Sequence, residues 1–121
     1  MKIGITGTTA GIGDAVCRLP YEFVEFNRID GDIHDVEAVY EKLKDCDVFI
    51  NNAWDQFVQV KLFEMVYNAW RHDETKTIVN ISSMAANKDI ITNYSASKKM
   101  LDEMSDRSVF YGKCKTHNIK L

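Results

Sequence analysis

Short apolar runs alternate with periodic amphipathic segments along this chain, and that alternation predicts an α/β architecture. Lys2-Ile3-Gly4-Ile5-Thr6 reads as a short buried strand, and Gly7-Thr8-Thr9-Ala10-Gly11-Ile12-Gly13 follows it as a glycine-rich turn. Asp14 to Leu19 is amphipathic and reads as a helix ended by Pro20. Further strands are expected near 22–27, 47–51 and 77–82, and helices near 12–19, 35–44, 57–71 and 94–110. After Asp35, Val36, Val39, Tyr40 and Leu43 form one apolar stripe. The 57–71 helix is apolar over much of its circumference, with Phe57, Phe63, Val66 and Trp70. Such a helix is either deeply buried or paired with another subunit.

Composition narrows the picture mainly by exclusion. A length of 121 residues suits one domain with a modest core, without repeats, low-complexity tracts or linkers. No apolar run is long enough to span a membrane, and the N-terminus reads as a strand rather than a signal peptide. The net charge of −3, without a basic stripe, argues against nucleic acid as a partner. Cys17, Cys46 and Cys114 lack metal or redox spacing, which fits ordinary residues in a reducing cytoplasm. His34, His72 and His117 are scattered and read as surface residues, so no metal site is expected.

Three features carry chemistry. Strand, glycine loop and helix is an arrangement that holds a pyrophosphate, because glycines let the backbone come close and free N–H groups face the anion. The spacing here is TGxxxGxG rather than GxGxxG. Next, the run Asp47-Val48-Phe49-Ile50 ends in Asn51-Asn52-Ala53, and Thr77-Ile78-Val79-Asn80-Ile81 ends in Ser82-Ser83. Polar residues just past the C-terminal ends of parallel strands sit where open α/β sheets bind ligands. Finally, Tyr94 and Lys98 share one helix face, and an ammonium beside a phenol favours the phenolate. A carbonyl/alcohol redox enzyme needs a proton donor of that kind.

Through Thr6-Gly7…Gly11-Ile12-Gly13, Asn51-Asn52-Ala53, Ile81-Ser82-Ser83 and Tyr94…Lys98, the chain resembles the short-chain dehydrogenase/reductase family. The motifs stand in family order over roughly residues 1–110. The resemblance implies a single Rossmann-type domain spanning 1–121, with about four parallel strands in the order second, first, third, fourth. Helices would flank the sheet as a three-layer α/β/α stack. It implies a small carbonyl or alcohol substrate, with Tyr94 as general acid/base and Ser83 bonded to the substrate oxygen. Lys98 would hold the nicotinamide ribose and lower the Tyr94 pKa. Gly7, Thr8, Gly11, Ile12 and Gly13 would line the pyrophosphate, Asp32 and Ile33 the adenine, and Asn52 and Ala53 the ribose side. Arg28, where an acidic residue would mark NAD, favours NADP over NAD as cofactor. A homodimer through the 57–71 and 94–110 helices is also implied.

Several positions depart from the family pattern. Too few residues separate the second strand from Asp32-Ile33 for a parallel crossover, so the usual helix and strand there are expected to be missing. The run Asp30 to Val39 is similar to the shortened equivalent in the deoxysugar-reductase branch. Asn118-Ile119-Lys120-Leu121 is similar to the opening of the sixth family strand, and the segment that covers nicotinamide and substrate is expected to be missing after it. Trp54 stands where the family has glycine, either filling the nicotinamide pocket or replacing lost cover. Lys61 stands near the family's catalytic asparagine and cannot accept hydrogen bonds. Two alternatives to an enzyme therefore stay open: a non-catalytic NAD(P)-binding sensor or subunit, and a fragment completed by a partner chain.

Overall fold

The computed structural model describes residues 1–9, 11–27, 33–84 and 92–121. Among the described residues nine elements alternate: β1 (Lys2–Thr6), α1 (Gly11–Val16), β2 (Glu22–Phe26), α2 (Val36–Leu43), β3 (Val48–Asn51), α3 (Val58–Trp70), β4 (Thr77–Ser82), α4 (Asn93–Tyr111) and β5 (Lys115–Lys120). The strands form one parallel sheet in the order β2-β1-β3-β4-β5. The first four stand in the order the sequence predicts.

The sheet has five strands rather than four. Thr77↔Lys115 through Ser82↔Lys120 pair in continuous register, so β5 begins before the expected opening at Asn118. Its sequence, KTHNIK, has no apolar run, because this strand lies at a sheet edge and is largely exposed. Hydrophobic patterning cannot detect such a strand. Helix α1 is also shorter than the expected 12–19, covering six residues. Turns replace its last part before Pro20, which disfavours helical backbone at Leu19.

The core lies between the sheet and α2, α3 and α4. Phe26, Phe49 and Ile78 from the strands meet Leu43, Leu62, Phe63, Val66 and Leu101 from the helices, all buried. At Gly4 the approach is so close that a Cβ would collide with the Leu43 side chain. Alternation along the strands puts Ile3, Ile5, Val48, Ile50 and Val79 on the opposite face, the last three half-buried. The apolar surface of α3 is accounted for within the chain, since Val58, Val60, Leu62, Phe63, Val66 and Trp70 are all buried there. Local signals set the helix starts. The Asp35 carboxylate accepts from Ala38 N at 3.1 Å, and Thr92 and Ser95 form a reciprocal capping box at the head of α4. That cap places Tyr94 and Lys98 at the C-terminal end of the sheet.

Candidate functional site

All strands run parallel, so the residues after β1, β3 and β4 emerge along one edge. The bend after β1 comes first. Gly7 has φ +73° and Gly11 φ +60°, left-handed values that glycine adopts without strain. A Cβ on Gly13 would collide with the Gly7 carbonyl, whereas one on Gly11 would meet open space. Asn52 Nδ2 donates to Gly7 O at 3.1 Å, and the Asn52 and Ala53 amides donate to Thr6 Oγ1 at 3.0 and 2.9 Å. Asn27 Nδ2 donates to Thr8 Oγ1 at 3.0 Å. The bend is thus clamped from two neighbouring strands while its backbone at Gly11 faces outward. A tight turn of small residues with an open backbone side fits a diphosphate.

A buried polar seam lies beneath the same edge. Asn51 Nδ2 donates to Asn80 Oδ1 at 3.0 Å, and Asn80 Nδ2 donates to Ser105 Oγ at 2.8 Å. Gln59 Nε2 donates to Asn51 O and Ile81 O at 2.8 and 2.9 Å. Lys98 Nζ donates to Gln59 Oε1 and Ile81 O, each at 2.8 Å. These pairings satisfy groups that would be costly to bury alone. Lys98 is 3% exposed, and burial pushes its pKa down to about 8, with the charge of Asp102 pulling the other way.

Tyr94, one turn before Lys98 on α4, is 37% exposed. The Lys98 ammonium lies 5.5 Å from the centroid of its ring. Trp54 packs edge-on against that ring and donates from Nε1 to Ser97 Oγ at 2.7 Å. The bulky residue after Asn51-Asn52-Ala53 thus lies against Tyr94 and is tied to α4. One turn further along the same face of α4, Ser82 Oγ donates to Asp102 Oδ1 at 2.5 Å, and Asn118 Nδ2 donates to the same oxygen at 2.7 Å. Lys120 completes that cluster, 3.4 Å from Asp102 Oδ2. Ser82 is buried and turned to Asp102, while Ser83 is half-buried beyond the strand end.

Of the residues marked by the sequence, Gly7, Thr8, Gly11, Gly13, Asn52 and Ala53 gather around the bend, and Tyr94 and Lys98 lie along the same edge. Ile12 is exposed beside the bend. Ile33 is half-buried against the core, and the adjoining His34 Nε2 lies 2.6 Å from Asp55 Oδ2. Arg28 and Asp32 lie outside the described residues. Lys61 is exposed. The residue that sequence reasoning missed is Gln59. It stands in the stripe of Leu62, Phe63, Val66 and Trp70, and a lone amide on an otherwise apolar helix face was the available signal. Burial raises the Cys17 thiol pKa to about 11, with Glu25 adding to the effect, which disfavours the thiolate at neutral pH. Among the described residues no helix is long and apolar enough to cross a membrane, and no three His, Cys, Asp or Glu side chains converge as a metal site.

No protein-family model matches the chain, and no curated protein does. Solved structures do. A short-chain dehydrogenase/reductase family protein superposes with a TM-score of 0.70 at 18% identity, over 99% of this chain and 73% of that one. Serine dehydrogenase from Escherichia coli gives 0.69 at 14% identity, over 99% and 82%. The NADH-dependent reductase A1-R' complexed with NAD gives 0.67 at 18% identity, over 98% and 77%. At these identities the likeness establishes the fold, a Rossmann-type parallel α/β sheet.

Proposed function

We propose that the protein is an NAD(P)-dependent oxidoreductase of the short-chain dehydrogenase/reductase type, acting on a small carbonyl or alcohol substrate. The observation that carries this is one continuous path of contacts. Asn52 holds the glycine bend, and Trp54, two residues on, lies against Tyr94 and bonds Ser97. A diphosphate site and a phenol thus share one edge of the sheet. The nicotinamide ring would supply or accept a hydride when bound.

The chain's own residues do the rest. Gly7, Thr8, Gly11, Ile12 and Gly13 would hold the diphosphate, and Asn52 and Ala53 the ribose side. Ile33 and Asp32 would meet the adenine, and Arg28 would favour NADP by pairing with a 2′-phosphate. Tyr94 Oη would pass a proton to or from the substrate oxygen, with the Ser83 hydroxyl holding that oxygen in place. Lys98 keeps one N–H beyond its two acceptors for the ribose side. Trp54 would exclude water from the phenol. Three free cysteines suit a reducing cytoplasm.

A homodimer through α3 and α4 belongs to the same proposal. An open groove of about 410 Å³ runs between these helices, lined by Phe63, Glu64, Tyr67, Met104, Arg107 and Tyr111. Glu64 and Arg107 give it charges of both signs, which can pair across a two-fold axis when the same patch meets itself. Solution mass at micromolar concentration checks the dimer: twice the 13.9 kDa chain mass supports it and a monomer refutes it. For the activity, the test is NADPH- or NADH-dependent turnover on a panel of small aldehydes and ketones. Turnover abolished by Tyr94→Phe supports the proposal, and turnover indifferent to that change refutes it.

A further inference from the structure

We infer that Gln59 is the residue that seats the Lys98 ammonium, so that the lysine's place beneath Tyr94 is set from α3 rather than from α4 alone. The inference rests on the proposed function and adds to it a positioning residue.

Gln59 is 1% exposed and every polar atom of its side chain is engaged. Its Nε2 reaches Asn51 O on β3 and Ile81 O on β4, while its Oε1 receives Lys98 Nζ from α4 at 2.8 Å. Its backbone carbonyl accepts from Asn51 Nδ2 at 2.9 Å. One amide therefore joins α3, two strand ends and α4. Its orientation follows from chemistry: a flipped amide would turn Oε1 toward two carbonyls and NH₂ toward an ammonium. Ile81 O is shared between Gln59 and Lys98, which fixes the lysine against both.

The identity of the side chain matters too. A neutral amide oxygen satisfies a buried ammonium without a compensating negative charge, so the lysine can still lose its proton. A carboxylate at this place would hold it charged. Among the described residues, ionisable groups near Lys98 include Tyr94, whose ring lies 5.5 Å away, and Asp102, which is turned to Ser82 and Asn118. Lys61 is exposed and has no acceptor to offer an ammonium, so it is not an alternative seat.

The test uses free protein carrying ¹³C-labelled lysine, with the Lys98 side-chain resonance identified by its loss in Lys98→Arg. The pH midpoint of that resonance is compared in wild type, Gln59→Met and Gln59→Glu. Loss of the acceptor lowers the midpoint in Gln59→Met by about one pH unit, and the carboxylate raises it in Gln59→Glu by a similar amount. Should one variant fail to fold, the sign in the other decides. In Gln59→Met the pH–rate profile shifts with the midpoint, whereas a merely structural defect scales the profile without moving it. Midpoints that stay at the wild-type value, or move together in one direction, overturn the inference. If wild type binds neither NADPH nor NADH while the two midpoints move apart, the proposed function falls and the seat stands.

Discussion

The Trp54 indole lies edge-on against the Tyr94 ring, with centroids 5.1 Å apart and planes at 65°. Edge-to-face packing of this kind is favourable by about 0.5–1.5 kcal/mol beyond the area it buries. It also joins two stretches far apart in the chain, because Trp54 follows the strand end that clamps the glycine bend while Tyr94 opens α4. The bond from Trp54 Nε1 to Ser97 Oγ at 2.7 Å fixes the ring's tilt. Trp54→Phe keeps the ring contact and loses that bond, with an expected cost of about 1 kcal/mol in urea unfolding. Trp54→Ala uncovers the phenol, and turnover of bulkier ketones is expected to rise relative to small ones. An unchanged substrate ratio would count against Trp54 as cover.

Tyr94→Phe removes one oxygen from an exposed position and leaves the fold and the glycine bend untouched. Turnover is expected to fall by about 10²–10⁴-fold, the usual contribution of a positioned proton donor, with cofactor affinity retained. Parallel steady-state kinetics and cofactor titration separate the two quantities. Loss of affinity together with activity would place Tyr94 in binding instead.

Lys98 makes stability depend on alkaline pH. Its folded pKa, about 8, lies below its ordinary value of 10.5, so the unfolded chain holds the proton through that window. Stability from this residue is therefore present above 10.5 and is lost as pH falls through about 8. Urea unfolding of wild type against Lys98→Met at pH 7.5 and 10 reads the difference. Wild type should gain on the order of 2–3 kcal/mol relative to the variant over this interval. Parallel pH dependences in the two proteins would contradict the buried position of the ammonium.

The glycine bend responds to two substitutions in different ways. Gly11→Ala meets open space, and its cost is left-handed backbone strain of about 1–2 kcal/mol. Gly13→Ala forces a methyl into the Gly7 carbonyl, so the bend itself must move. Calorimetry should show destabilisation in both, with cofactor affinity lost chiefly in Gly13→Ala. Equal affinity losses in both would point away from bend geometry as the cause.

Much of this was legible in the residues. The apolar runs of β1, β3 and β4 and the stripe of α2 are strong periodic signals that mark the elements, and their order in the sheet followed from the family resemblance. β5 was not fully legible, since an edge strand of mostly polar residues carries no burial pattern. The end of α1 was overrun because amphipathic spacing continues to Leu19 while Pro20 acts on the backbone before it. At the site, glycines and strand-end polar residues announce themselves by type and place. Gln59 does not, because its role exists only once β3, β4 and α4 converge on one amide. Trp54 was visible as a departure, but its contact with Tyr94 depends on how α4 docks.

The central claim is that the bend from Gly7 to Gly13 holds the diphosphate of a nicotinamide cofactor. Fluorescence titration of wild type and Gly13→Ala with NADPH and NADH tests it most directly, with Trp54 emission as the reporter. The expected result is saturable binding to wild type, tighter for NADPH, and at least about tenfold weaker in Gly13→Ala, or about 1.4 kcal/mol. Absence of saturable binding with either cofactor, or a Gly13→Ala curve that overlays wild type, would contradict it.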